Sequence, residues 1–98
     1  MATYLMLFSF TQHGIEKVKQ LGERVESARK TIRQMGGELK SFYLILGSEF
    51  DTLFILTAPS DEKVAEMALS IAKLGNVRTQ THRLFSEDEA KKITAALP

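Results

Sequence analysis

Arg78, Gln80 and His82 stand at every second position of the stretch Val77 to Phe85, so an extended chain sets a guanidinium, an amide and an imidazole on one face. Such a trio suits a small anionic or carbonyl-bearing ligand. The cation and the amide would hold an oxygen, with the imidazole presented beside them. The plainer reading of the same pattern is one face of a polar edge strand without a partner. Asp51 is the second candidate, a carboxylate between Phe50 and the apolar run that follows. With His82 and Arg78 it would bind and polarise a substrate oxygen. Its plainer role is to hydrogen-bond the backbone of a hairpin.

Aromatic residues supply a different chemistry. Tyr4, Phe8 and Tyr43, supported by Met6, can line a pocket for a flat apolar ligand, or they can form the core of a dimer interface. Other constellations are missing. His13 and His82 are the only histidines and there is no cysteine, so no metal-ligand spacing exists and no metal site is expected. Thiolate catalysis, disulfides and iron-sulfur clusters are chemically excluded. No serine elbow and no phosphate-cradling glycine loop occurs, and no cofactor is implied. Asp61 and Glu62 follow Ser60 and fit the acidic first turn of a helix better than a catalytic pair.

The elements that must carry these residues can be read in order. Ala2 to Phe10 is a strand with Tyr4, Met6, Phe8 and Phe10 on one face and Leu5 and Leu7 on the other, apolar on both sides and so expected in the middle of a sheet. Thr11 caps a helix whose inward positions are Ile15, Val18, Val25, Ala28, Ile32 and Met35. Gly22 is its expected weak point, and Gly36 with Gly37 ends it. Glu38 to Ala58 reads as a hairpin: Phe42 to Leu46, a break at Gly47, Ser48 and Glu49, then Phe50 to Leu56. Pro59 stops the second strand and Ser60 caps a helix that buries Val64, Ala68, Ile71 and Ala72, with Met67 and Leu74 in support. Gly75 and Asn76 end that helix, and the polar strand Val77 to Phe85 follows. Ser86 and Glu89 form a capping box for a short helix with Ala90, Ile93 and Leu97 on one side.

The order β, α, β, β, α, β plus a terminal helix predicts an α+β domain, the ferredoxin-like split arrangement, with one four-stranded antiparallel sheet and both crossover helices on the same face. Ninety-eight residues suffice for one such domain. The first and third strands occupy the centre in this topology and are apolar on both faces, so the face without helices needs a cover. A second copy of the same sheet covers both chains in one symmetric contact, which predicts a homodimer or higher homo-oligomer built as an α/β barrel.

Taken together, Phe10, Thr11, Gly14, Gly36, Gly37, Phe42, Tyr43, Gly47, Phe50, Asp51, Ala58, Pro59, Asp61, Glu62, the run Leu74 to Thr79 and Phe85 resemble the GYD domain family. The resemblance covers nearly the whole chain and implies a dimeric α/β barrel of ferredoxin-like chains. It supplies no reaction, because the family's function is not established. Where the family's name motif has Gly-Tyr-Asp, this chain has Glu49, Phe50 and Asp51. The ring and the carboxylate remain while the phenolic hydroxyl is lost, and with it any role for that tyrosine as a proton donor.

Composition narrows the function. A hydrophobic fraction of 44% with 26% charged residues belongs to a folded globular domain. A net charge of +1 gives no pull toward polyanions. RNA binding on the sheet, which Tyr4, Phe8, Phe50 and Phe54 would suit, lacks the basic-glycine-aromatic signature of the third strand. No nucleic acid and no membrane partner is expected, since no apolar run reaches about 20 residues and Met1 to Phe10 lacks the flanks of a signal peptide. A cytoplasmic location fits the absence of cysteine. Two readings of activity stand: a homo-oligomeric domain binding a small aromatic or amphipathic ligand in a cleft of the barrel, with Tyr4, Phe8, Tyr43, Phe50, Asp51, Arg78, Gln80 and His82 as candidate contacts, or a cofactor-independent oxygenase or isomerase using His82, Arg78 and Asp51.

Overall fold

A computed structural model describes residues 1–98. The elements are β1 (Ala2–Phe10), α1 (Gln12–Glu16), a 3-10 turn (Val18–Gln20), α2 (Leu21–Gln34), β2 (Glu38–Leu44), β3 (Thr52–Ala58), α3 (Asp61–Ala72), β4 (Val77–Leu84) and α4 (Glu87–Ala95). The four strands form one antiparallel sheet in the order β2-β3-β1-β4. This is the ferredoxin-like α+β arrangement expected from the element order.

Alternation along the central strands divides the sheet into two faces. Tyr4, Met6 and Phe8 of β1 and Thr52, Phe54, Leu56 and Ala58 of β3 are buried. They meet Val25, Ala28 and Ile32 of α2 and Val64 and Met67 of α3 in one core, so both long helices cover the same face. The other set, with Leu5 facing Ile55 and Leu7 facing Leu53, lies on the face without helices and is only half-buried. Phe8 and Phe54 pack edge to face at 4.7 Å, and Phe42 meets Phe54 at 5.9 Å, a geometry that adds to simple burial.

Three local expectations are corrected. The first helix breaks at Lys17 to Gln20 and not at Gly22: α1 stops after Glu16, a 3-10 turn follows, and Gly22 lies inside α2 with open space around it. Ile15 and Val18, read as inward positions, are consequently exposed. The hairpin strands are shorter at their facing ends, since Ile45 to Asp51 form the connection, closed by an Ile45 amide to Asp51 carbonyl bond of 2.7 Å. Leu46 is therefore fully exposed. A register shift between Leu39 and Ser41 also lets both Leu39 and Phe42 face the core, although they are three residues apart, because a bulge resets the alternation. On α3 the central contact is Met67, whereas Leu74 lies beyond the helix and is exposed.

Gly14 fixes the end of the sheet. Thr11 caps α1 through its hydroxyl, which accepts from the Gly14 amide at 3.0 Å and donates to the Gly75 carbonyl at 2.6 Å, and the Thr11 amide donates to the Asn76 carbonyl at 3.1 Å. A Cβ on Gly14 would stand 1.9 Å from that Asn76 oxygen, so the two backbones touch only because no side chain intervenes. The Gly14→Ala variant is expected to lose about 3 kcal/mol of stability, read from its urea midpoint. An unchanged midpoint would show that the contact does not hold the sheet end.

Candidate functional site

The two faces of the sheet set the geometry of any site. Above the helix-covered face, between α2 and α3, lies a cavity of about 330 Å³. Its floor is aromatic: Phe8 and Phe10 from β1, Phe42 from β2 and Phe54 from β3. Leu21, Val25 and Ala28 of α2 and Ile71 with Leu74 close it from above. The space arises because large rings on the sheet oppose small residues, Ala28, Ser27 and Ser70, on the helices, so the layers do not fill the gap between them.

A few polar groups border this apolar space. Thr52 is 3% exposed and lines it from β3, and Asn76 and Arg24 stand at its border. The Arg24 guanidinium is fixed by the Gly14 carbonyl at 3.1 Å and the Lys17 carbonyl at 2.8 Å, where α1 and the 3-10 turn leave acceptors unpaired. Glu23 and Gln20 lie beside it. An apolar chamber of this size with a small polar border is the form of a small-molecule site.

The residues named from sequence fall in three places. Phe8 is in the cavity wall. Arg78, Gln80 and His82 do share one strand face, opposite Ser9, Leu7 and Leu5 of β1, but it is the sheet face without helices, and all three are exposed there. Tyr43 lies on that same face, opposite Leu53, so Tyr4, Phe8 and Tyr43 do not make one aromatic pocket: Tyr4 and Phe8 point to the core and Tyr43 away from it. Phe50 is in the β2–β3 connection, where its amide donates to the Ser48 hydroxyl at 3.2 Å.

Asp51 is engaged by the backbone of β1. Its carboxylate accepts from the Phe10 amide at 2.8 Å, and its own amide donates to the Phe8 carbonyl at 2.8 Å. It therefore extends the β1–β3 pairing and does not merely close its own hairpin.

Tyr4 has a partner that sequence reasoning missed. Its hydroxyl donates to the Asp61 carboxylate at the start of α3. Arg83 lies over both the Tyr4 ring, at 5.9 Å, and the Phe85 ring, at 4.5 Å, and pairs with Glu89 at 3.3 Å. The hydrogen bond to Asp61, burial and the Asp61 charge raise the Tyr4 pKa above its ordinary value. Glu89 is held below the ordinary carboxylate range, first by the Ser86 backbone amide and then by the Ser86 hydroxyl. Of the missed cavity residues, Phe10, Phe54 and Ala28 carried a usable signal, since alternation puts Phe8, Phe10 and Phe54 on one sheet face opposite a small helix residue.

The GYD domain model matches residues 4–94, a span that includes the Thr11, Gly14, Asp51 and Asn76 end of the sheet. The chain belongs to the GYD domain family. Among solved structures, this GYD domain is similar to TTHA0845 from Thermus thermophilus, at 20% identity and a TM-score of 0.56, covering 88% of this chain and 95% of that one. It is also similar to At3g17210 from Arabidopsis thaliana, at 17% identity and a TM-score of 0.59, with the same coverages. At these identities the likeness is one of fold. No curated protein matches the chain in sequence. No helix of this GYD domain is long and apolar enough to cross a membrane.

The Tyr4 environment has a pH consequence with a definite sign. A phenol whose pKa is raised on folding contributes stability that is complete below its unfolded pKa, about 10, and is lost as pH climbs through the higher folded value. Stability measured from pH 9 to 12 should therefore fall, and Tyr4→Phe should flatten that fall. An equally steep profile in the variant would remove Tyr4 as its source.

Proposed function

We propose that this GYD domain is a small-ligand-binding domain whose site is the cavity between the sheet and helices α2 and α3, and that it works as a homodimer paired through the open sheet faces. The cavity itself is the observation that carries this reading. Its volume of about 330 Å³ lies at the lower end of the range of about 300–1,000 Å³ for small-molecule pockets, and Phe8, Phe10, Phe42 and Phe54 form its floor. A flat aromatic or amphipathic molecule fits such a chamber, with its rings on the phenylalanines and a polar end toward Thr52, Asn76 or Arg24.

Pairing is supported by Leu5, Leu7, Leu53 and Ile55, which sit in register on the uncovered face. Their burial against the same four residues of a second copy removes apolar area from water on both chains. Tyr43, Arg78, Gln80 and His82 would then border the contact between copies, with Phe50 near its end. The polar set gives that interface its register and not a reaction centre. The oxygenase or isomerase reading has less support, because Asp51 is committed to the Phe10 amide. The absence of cysteine agrees with a reducing, cytoplasmic setting.

Ala28 forms part of the cavity roof and is buried, so Ala28→Phe would fill the space from within. Titration with 1-anilinonaphthalene-8-sulfonate, an amphipathic aromatic probe, should give saturable fluorescence with the native chain and binding weakened at least about tenfold in the variant, with circular dichroism checking that the variant is folded. Undiminished binding by a folded variant would place the probe elsewhere and contradict the assignment.

A further inference from the structure

Arg24 is the only cation that borders the cavity, and it stands there without a counter-charge. Its Nη1 donates to the Gly14 carbonyl at 3.1 Å and its Nη2 to the Lys17 carbonyl at 2.8 Å. Both acceptors are neutral, so they fix the guanidinium in place and leave its charge uncompensated. A guanidinium carries five N–H donors, and the rest of them, Nε–H included, have no partner in the chain. The other half-buried arginines are treated differently: Arg29 pairs with Glu26 at 3.4 Å and Arg83 with Glu89 at 3.3 Å. Arg24 makes no ion pair, although Glu23 precedes it. Taking a cation partly out of water without an anion costs free energy, and a bound anion offsets that cost.

The other walls of the cavity limit what that anion can be. Phe8, Phe10, Phe42 and Phe54 present rings from the sheet, and a flat ring system is the shape that stacks or packs edge-on against them. The volume of about 330 Å³ is at the small end for molecular sites, which restricts the ligand to a small ring system. Thr52 borders the same space while only 3% exposed, and its hydroxyl makes no hydrogen bond within the chain. Buried hydroxyls ordinarily have a partner, so a second polar point is left for a ligand atom. Glu23 is the one carboxylate on the border. Its charge opposes a second negative charge on the ligand, which favours a single carboxylate over a phosphate monoester.

From these observations we infer that the cavity selects a small aromatic monocarboxylate, with its ring on the phenylalanine floor and its carboxylate on the Arg24 guanidinium. The inference rests on the cavity being the ligand site, as proposed above, and adds the charge and chemical class of the ligand. A planar guanidinium matches a planar carboxylate in geometry as well as charge. A neutral aromatic molecule would satisfy the floor and leave Arg24 unpaired. Arg24 thus clamps the break between α1 and α2 and presents its remaining donors to the ligand.

Isothermal titration calorimetry of the full chain with naphthalene-2-carboxylate and with naphthalene-2-carboxamide at neutral pH tests it, since the two probes share a ring and a shape and differ in charge. The native chain is expected to bind the acid at least about tenfold more tightly than the amide. Arg24→Gln should weaken the acid alone and bring the two affinities together. Equal binding of both probes to the native chain, weakened in both cases by Ala28→Phe, would overturn the anion preference and leave the cavity as the ligand site. Binding of neither probe would overturn the cavity reading and this inference with it. A preference for the acid that survives in a folded Arg24→Gln variant would remove Arg24 as its source and overturn the assignment. Because Arg24 also holds the break before α2, the native chain supplies a check that needs no variant: its Arg24 Nε–H resonance in a nitrogen-15 correlation spectrum should shift on titration with the acid and stay in place with the amide. A resonance unmoved by a bound acid would overturn the inference.

Discussion

The sheet of this domain has two apolar faces and helices for only one of them. β1 and β3 lie in the centre, and each presents large side chains on alternate residues to both sides: Tyr4, Met6 and Phe8 against Leu5 and Leu7, Phe54 and Leu56 against Leu53 and Ile55. The crossover rule places α2 and α3 together on one side. Everything else follows from how each face is treated. The covered face becomes the core, with Met6, Ile32, Leu56 and Met67 wholly buried. The open face keeps half-buried leucines and isoleucine between the more polar edge strands β2 and β4.

Within the covered face, packing is unequal along the strands. Near Ala58, Leu56 and Met67 the layers close completely. Toward Phe8, Phe54 and Phe42 the rings stand under small helix residues and the layers part to form the cavity. The same end of the sheet carries the densest backbone bonding: Thr11 to Gly75 and Asn76, and Asp51 to Phe8 and Phe10. That bonding lets the chain keep an unfilled space without the sheet fraying. Beside Phe50, it is the carboxylate of Asp51 that makes the bond to β1.

Element types and their order were legible in the sequence because each element carries its own signal. Period-two alternation marks β1 and β3, Ser60 with Asp61 opens α3, and Ser86 with Glu89 opens α4. What was not legible depends on contacts between distant residues. The break before α2 comes at Lys17, where Arg24 from the next helix takes up the free carbonyls, while Gly22 offered only a local signal. The bulge at Leu39 and Ser41 has no composition of its own, so the inward turn of Phe42 could not be read. Alternation does place Arg78, Gln80 and His82 on one face, but it does not say which face the helices cover, and so it carries no signal that the sheet separates Tyr43 from Tyr4 and Phe8.

The central claim is that this chain solves one face of its sheet alone and needs a second copy for the other, with ligand space kept inside each chain. A native mass spectrum of the purified protein addresses both halves at once, since it reports subunit number and any retained small molecule. The account predicts a dimer or a higher even multiple, with room for one small molecule per chain. A clean monomer across the concentration range would contradict it, because Leu5, Leu7, Leu53 and Ile55 would then face water in the working protein.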